Sequence, residues 1–192
     1  MNLKNKLTKL AILIIVVLIN FSCQEKIKSS NIEIFTLKSQ EEKLEVPYDS
    51  VKKEFLYAPK FEVAKNLLNE KPLITDDEIL CLDTVSGKIE LSAEAINKIV
   101  NLRPSMKHGI KFAICKNKEP LFTGYFWSSF SSYGSNWNCI EYNHNKKVTA
   151  PVKLNIYKGN GLNPSKREKI DFKLYPELLS NVIESGKIDC SN

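Results

Sequence analysis

Residues 111–142 read KFAICKNKEPLFTGYFWSSFSSYGSNWNCIEY and hold the densest apolar and aromatic material outside the N-terminal segment. Phe112, Ala113, Ile114 and Cys115 predict a buried strand. Residues 116–120 predict a turn, and residues 121–127 the returning strand of a hairpin. A Ser- and Gly-rich loop follows, and residues 137–142 offer a third strand.

On the N-terminal side of this stretch, residues 31–38 alternate, with Ile32, Ile34 and Thr36 sharing one face, and predict a strand. Residues 51–57 fit either a short helix or a strand between Pro47 and Pro59. Residues 62–70 (EVAKNLLNE) predict a helix carrying Val63, Leu67 and Leu68, stopped by Lys71-Pro72. Residues 78–83 and 88–91 predict two strands about a Ser86-Gly87 turn, with Ile89 and Leu91 inward. Ser92 suits the N-cap of a helix over 93–102, whose stripe is Ile96, Ile99 and Val100 and which Pro104 ends.

On the C-terminal side, residues 152–158 and 170–174 predict strands. Pro176 fits the first position of a last helix bearing Leu178, Leu179, Val182 and Ile183, with Gly186 at its end. The pattern implies one α+β domain over 31–192, with a largely antiparallel sheet and two or three helices. The length of 192 residues accommodates such a domain, and 43% apolar residues excludes general disorder.

The formal charge of +6 overstates the basicity of the domain. Residues 1–22 hold Lys4, Lys6 and Lys9 and no acid, so without them 25 basic residues face 22 acidic ones. Only Arg103 and Arg167 supply guanidinium groups, the side chain best suited to forked contacts with phosphate or guanine. A nucleic-acid partner is therefore disfavoured.

Residues 1–23 carry the most specific signal. A lysine-bearing start precedes ten unbroken apolar residues, 10–19, a run well short of the ~20 needed to span a bilayer. It ends in Asn20-Phe21-Ser22-Cys23, which resembles the signal peptide of bacterial lipoproteins in its loose, Bacteroidetes-type form. Ser22 and Cys23 match that pattern. Asn20 and Phe21 depart from the usual box, which has Leu three positions before the cysteine and a smaller residue next. The resemblance covers these 23 residues only. It implies removal of 1–22 as a signal peptide, lipidation of Cys23, a flexible tether over 23–30 and an envelope location, at the outer membrane or the periplasmic face. An uncleaved anchor and an ordinary secretory signal are the alternatives.

Four further cysteines remain: Cys81, Cys115, Cys139 and Cys190. An even number in an exported chain suggests disulfides, with three possible pairings. Cys81, Cys115 and Cys139 sit inside strand patterns, where a cysteine also serves as a small buried hydrophobe. Cys190 has no core position to fill, which favours a bridge that uses it. No pair shows the short spacing of structural zinc, so no metal and no cofactor is expected.

His108 and His144 lie in polar loops. The serines at 128, 129, 131, 132 and 135 form no nucleophile elbow and no S-x-x-K motif. Asp76-Asp77 and Glu41-Glu42 mark solvated faces or a helix start rather than an acid/base couple. Gly159-Asn160-Gly161 lacks the strand-to-helix setting of a phosphate loop.

Six aromatics fall within residues 125–137: Tyr125, Phe126, Trp127, Phe130, Tyr133 and Trp137. Set among Ser, Gly and Asn, they form the kind of rigid amphipathic surface that binds partners, although along a strand half of such rings face the core. Trp127, Phe130, Tyr133 and Trp137 are the candidate ligand-binding residues, for a protein, peptide or envelope-glycan partner. The expected function is a lipid-anchored, non-catalytic binding module. The competing readings are an envelope hydrolase using a loop histidine with Ser or acid, and a structural subunit of an envelope complex.

Overall fold

A computed structural model describes residues 31–40, 46–51, 53–103, 108–131, 133–143, 145–159, 165 and 167–190. The expected signal segment, Cys23, the tether, Ser132 and His144 lie outside the described residues. The architecture is α+β and dominated by one mixed sheet of eight strands that curls nearly into a barrel. Its strands are β1 (Ile32–Thr36), β4 (Ile79–Asp83), β5 (Lys88–Leu91), β6 (Ile110–Lys116), β7 (Glu119–Ser128), β8 (Asn138–Tyr142), β9 (Val152–Gly159) and β10 (Arg167–Lys169). The order is β1-β6-β7-β8-β9-β5-β4, with β10 also paired to β9. Two-residue strands β2 (Tyr48–Asp49) and β3 (Glu54–Phe55) form a separate small hairpin.

The central hairpin forms as its apolar run predicts, but with a shorter turn. Lys116 already pairs with Glu119, and Asn117 and Lys118 between them both take positive φ, +51° and +65°. That is the twist-compatible geometry of a two-residue hairpin loop. Pro120 therefore lies inside β7 and not in the turn. It is tolerated there because the register shifts at Ile114/Cys115, and a bulge spares the ladder the missing N–H.

Strand β8 pairs parallel to β7, Tyr125 facing Cys139 and Ser128 facing Tyr142, whereas the other pairings in the sheet are antiparallel. Parallel neighbours need a crossover, usually of a dozen residues or more. Here the segment 129–137 must double back within nine residues. Its small side chains serve that path, for Ser131, Gly134 and Ser135 are buried in it.

The inner face of the sheet and the two α-helices of the described residues build one apolar cluster. Ile34, Phe112, Ile114, Phe122, Phe126, Ile140 and Ile156 meet Ile96 and Ile99 of α1 (Ala93–Leu102) and Leu178 and Val182 of α2 (Pro176–Glu184). The hydroxyl of Ser92 caps α1 by accepting from Ala95 N at 3.2 Å. Pro176 opens α2, and Gly186 follows it with φ +69°. Ile183, assigned to the apolar stripe of α2 by period alone, is 55% exposed instead.

Two segments correct the sequence reading. Residues 62–70 form no α-helix but an extended run with a single 3-10 turn, Lys65–Leu67. The open edge of β1 claims that backbone: Lys38 N donates to Leu67 O and Asn69 N to Thr36 O, while Leu68 is buried beside Leu37. Satisfying a strand edge outweighs the weak preference of nine residues for a helix. Residues 170–174 are likewise no strand. β10 ends at Lys169, and Phe172–Leu174 form a 3-10 turn capped by Asp171.

The gap between the two sheet ends is bridged by Asp76. Its carboxylate accepts from Ile32 N at 2.9 Å and pairs with Lys187 at 2.9 Å, and Lys187 also donates to the Asp76 carbonyl. Asp76 begins the 3-10 turn Asp76–Glu78, which agrees with a carboxylate pair at a helix start. Leu82 N donates to Lys187 O, so the C-terminal tail runs along the outer edge of β4. There Cys81 and Cys190 lie at disulfide distance, with Cα atoms 5.4 Å apart.

Candidate functional site

Alternate residues of β7, β8 and β9 point away from the interior and make an outer face: Tyr125, Trp127, Cys139 and Tyr157, packed with Ala58. Segments 57–63 and 129–137 cover this face. Trp127 is 3% exposed, and its indole N–H donates to Tyr133 O at 3.0 Å. It anchors the covering loop and does not face solvent. Phe130 is exposed at 48%, and Tyr133 is half-buried with its ring 4.3 Å from that of Tyr57.

Trp137 sits differently. A serine turn fixes it: Ser135 Oγ donates to Trp137 O at 2.9 Å, and Trp137 N lies 3.2 Å from the same hydroxyl. Its half-buried ring forms one wall of a cleft of about 390 Å³, lined also by Lys60, Phe61, Leu121, Thr123, Leu174 and Tyr175. Lys60 Nζ stands 5.2 Å from the ring centroid, a cation–π distance.

Thr123 is the joint of this cleft. Its hydroxyl donates to Phe61 O at 3.0 Å and lies 3.3 Å from the Trp137 indole nitrogen, which donates to it. Its carbonyl accepts from Asn138 Nδ2 at 2.9 Å, and the same amide donates to Tyr175 OH at 3.0 Å. A phenol that accepts in this way keeps its own hydrogen as a donor for a ligand. Leu174, 75% exposed, supplies an apolar rim. Comparison with family models, curated proteins and solved structures finds no match to this chain.

The cleft offers an aromatic wall, an ammonium, a carboxylate at Glu62 and a phenol. That set suits recognition through stacking and hydrogen bonds. Of its lining, Trp137 was singled out from sequence, whereas Lys60, Thr123 and Tyr175 were missed. Lys60 and Thr123 are 63 residues apart in sequence and Thr123 and Tyr175 are 52 apart, so no local spacing joins them, and Pro176 pointed only to the helix beside Tyr175.

The other groups of interest are packed away from this cleft. Cys139 is fully buried, and burial pushes its thiol up to about 12. Cys115, also fully buried, reaches about 12 through burial and then through nearby Glu33. A thiol at such a value holds almost no thiolate at neutral pH and is not a nucleophile. Burial also raises Tyr157, whose hydroxyl donates to Glu141 at 2.6 Å while Arg167 pairs with the same carboxylate at 3.0 Å. His108 is half-buried ahead of β6.

Proposed function

We propose that the chain is a lipid-anchored cell-envelope protein, held by Cys23, whose sheet domain binds a ligand in the cleft beside Trp137 without chemistry of its own. The observation that carries the reading is the half-buried Trp137 ring, propped by hydrogen bonds at both its backbone and its indole nitrogen and left facing a cleft. A ring needed only for packing has no reason to be held so at an opening. The disulfide distance of Cys81 and Cys190 supports an oxidising compartment, where such bridges persist. The ligand is a peptide or glycan segment small enough for the cleft, or part of a larger envelope protein.

The reading is tested on the full chain in detergent, with soluble envelope-glycan fragments and envelope-protein peptides as probes and Trp137→Ala as the variant. The expected result is saturable binding that falls about thirty-fold in the variant, the size of a hot-spot residue, while the urea midpoint barely moves. Equal binding by both proteins overturns the cleft. For the anchor, Cys23→Ala is expected to move the protein from the detergent phase to the aqueous phase, since lipoprotein maturation supplies the two or more acyl chains that stable anchoring needs. An unmodified N-terminus found elsewhere by mass spectrometry overturns it.

A further inference from the structure

Four successive residues of β7, Pro120 to Thr123, line the cleft beside Trp137. Successive side chains of a strand point to opposite faces, so a run of four presents the strand's edge there. β8 pairs with β7 only from Tyr125 onward, which leaves that edge without a strand among the described residues. An extended peptide uses such an edge by adding to the sheet through main-chain hydrogen bonds. This edge is blunted against it. Pro120 has no N–H to give. Leu121 is an extra residue in the ladder, since Ile114 pairs with Phe122 and Cys115 with Pro120. The Thr123 carbonyl already accepts from Asn138 Nδ2 at 2.9 Å, and Asn138 is 1% exposed. Proline and bulges are devices by which a sheet refuses a further strand. A proline-type helix is served no better, because its carbonyls need donors on the aromatic wall. The Trp137 indole N–H is already given to Thr123 Oγ1 at 3.3 Å.

With that N–H engaged, Trp137 offers the cleft an apolar ring, and Phe61 and Tyr175 add two more. The polar groups at the same opening carry both signs. Lys60 and Glu62 are exposed, and neither forms an ion pair among the described residues. The ammonium only donates, the carboxylate only accepts, and the Tyr175 phenol adds its own hydrogen. Lys60 Nζ stands 5.2 Å from the Trp137 ring centroid, so its donors and the apolar ring are presented together.

Resting on the reading that this cleft binds a ligand, we propose that its occupant is a neutral pyranose unit of a glycan and not a peptide. Each sugar hydroxyl both donates and accepts, so one ring uses the ammonium, the carboxylate and the phenol at once. Its C–H face packs against an aromatic ring. An anionic ligand meets the Glu62 carboxylate, and a wholly apolar one leaves both charges unused. The cleft volume of about 390 Å³ lies in the range of small-molecule sites.

The test is calorimetric titration of the full chain in detergent with three probe sets. These are short neutral oligosaccharides of hexose and N-acetylhexosamine units, their uronic-acid analogues, and a random hexapeptide library. The expected result is saturable binding of at least one neutral oligosaccharide, and binding about ten-fold weaker for its uronic-acid analogue. Glu62→Gln and Tyr175→Phe should each weaken the neutral sugar about ten-fold, the size of a lost polar contact. Glu62→Gln should also narrow the gap between neutral and uronic sugar, which a merely structural role does not do. Melting curves of both variants serve as the control for folding. Library peptides that bind and are lost in Trp137→Ala, with no sugar bound, overturn the proposal and leave the cleft reading standing. A uronic analogue that binds as tightly as the neutral sugar also overturns it, as does an affinity indifferent to both variants. Sugar binding untouched by Trp137→Ala, or no binding by any probe, overturns the proposal and the cleft reading together.

Discussion

Phe126 and Trp127 are neighbours on β7 that face opposite ways, and each is almost wholly buried, but by different means. Phe126 lies among Phe112, Ile140 and the two helices, where apolar side chains surround it on a closed inner surface. Trp127 is covered by a returning loop that its own indole N–H pins at Tyr133 O. The interior is closed by apolar packing of regular elements. The outer face is closed by irregular segments held by ring contacts such as Phe61 on Tyr125 and by single hydrogen bonds: the Thr123 hydroxyl donates to Phe61 O, Tyr125 OH to Pro59 O and Tyr57 N to Asn136 Oδ1. Net worth per such bond is about 1 kcal/mol, against several for a buried aromatic ring. The outer cover also shelters the buried rings of Tyr125 and Trp127, but its closure by irregular segments predicts that it opens more readily than the inner face. Both the cleft and the exposed rings of Tyr48 and Phe55 belong to that cover.

The sharpest way to break this contrast is to truncate the interior ring. Phe126→Ala should destabilise the protein by about 3–5 kcal/mol, because it leaves a cavity in a rigid cluster. Urea melts with an unchanged slope will report it. A loss below about 1 kcal/mol would mean the inner face collapses around the gap and is no stiffer than the cover.

The contrast also explains which parts were legible in the sequence. Strands with a strict inner pattern, such as Ile89 and Leu91 of β5, and the capped helix α1 follow from period and cap chemistry alone. Residues 62–70 and 170–174 belong to covers and connections, and there the pattern misled. Val63, Leu67 and Leu68 fit a helix as well as an edge segment, and the unpaired edge of β1 decided between them. Nothing local marks β8 as parallel to β7, since a crossover of nine residues is shorter than the rule allows. The aromatic stretch was legible as important, but not which rings would face inward. Trp127 and Trp137 are ten residues apart and differ only in what the rest of the chain lays over them.

A second, smaller effect sits where α1 meets the turn before β4. Burial pushes the Glu78 carboxyl upward, but the Lys98 ammonium at 2.7 Å and the Thr75 donors outweigh it, and its pKa falls below the ordinary 4.5. A carboxylate depressed on folding stabilises the protein above its unfolded value, and that stability is lost as pH falls through the folded value. Glu78→Gln should cost about 1–3 kcal/mol at pH 7. It should also flatten the loss of stability on the acid side of pH 4.5, measured by urea melts at stepped pH. An unchanged acid profile would show that Glu78 titrates alike folded and unfolded.

The smallest expected effect tests the cover directly. Asn136→Ala removes the acceptor for Tyr57 N and should lower global stability by no more than about 1 kcal/mol. Its effect should be concentrated in local opening. Amides of Tyr57 and Leu56, which hold the small hairpin to the loop and to Pro47 O, should exchange several-fold faster, because regions with few buried contacts open without global unfolding. Amides of β6 and β7 pack against the interior and exchange through the global route. They should speed up only by the factor that the urea melt gives. If β7 amides accelerate as much as Tyr57, cover and interior open together, and the outer face is no separate layer. If Tyr57 and Leu56 alone respond, the cover that carries the exposed Tyr48 and Phe55 rings opens separately from the interior.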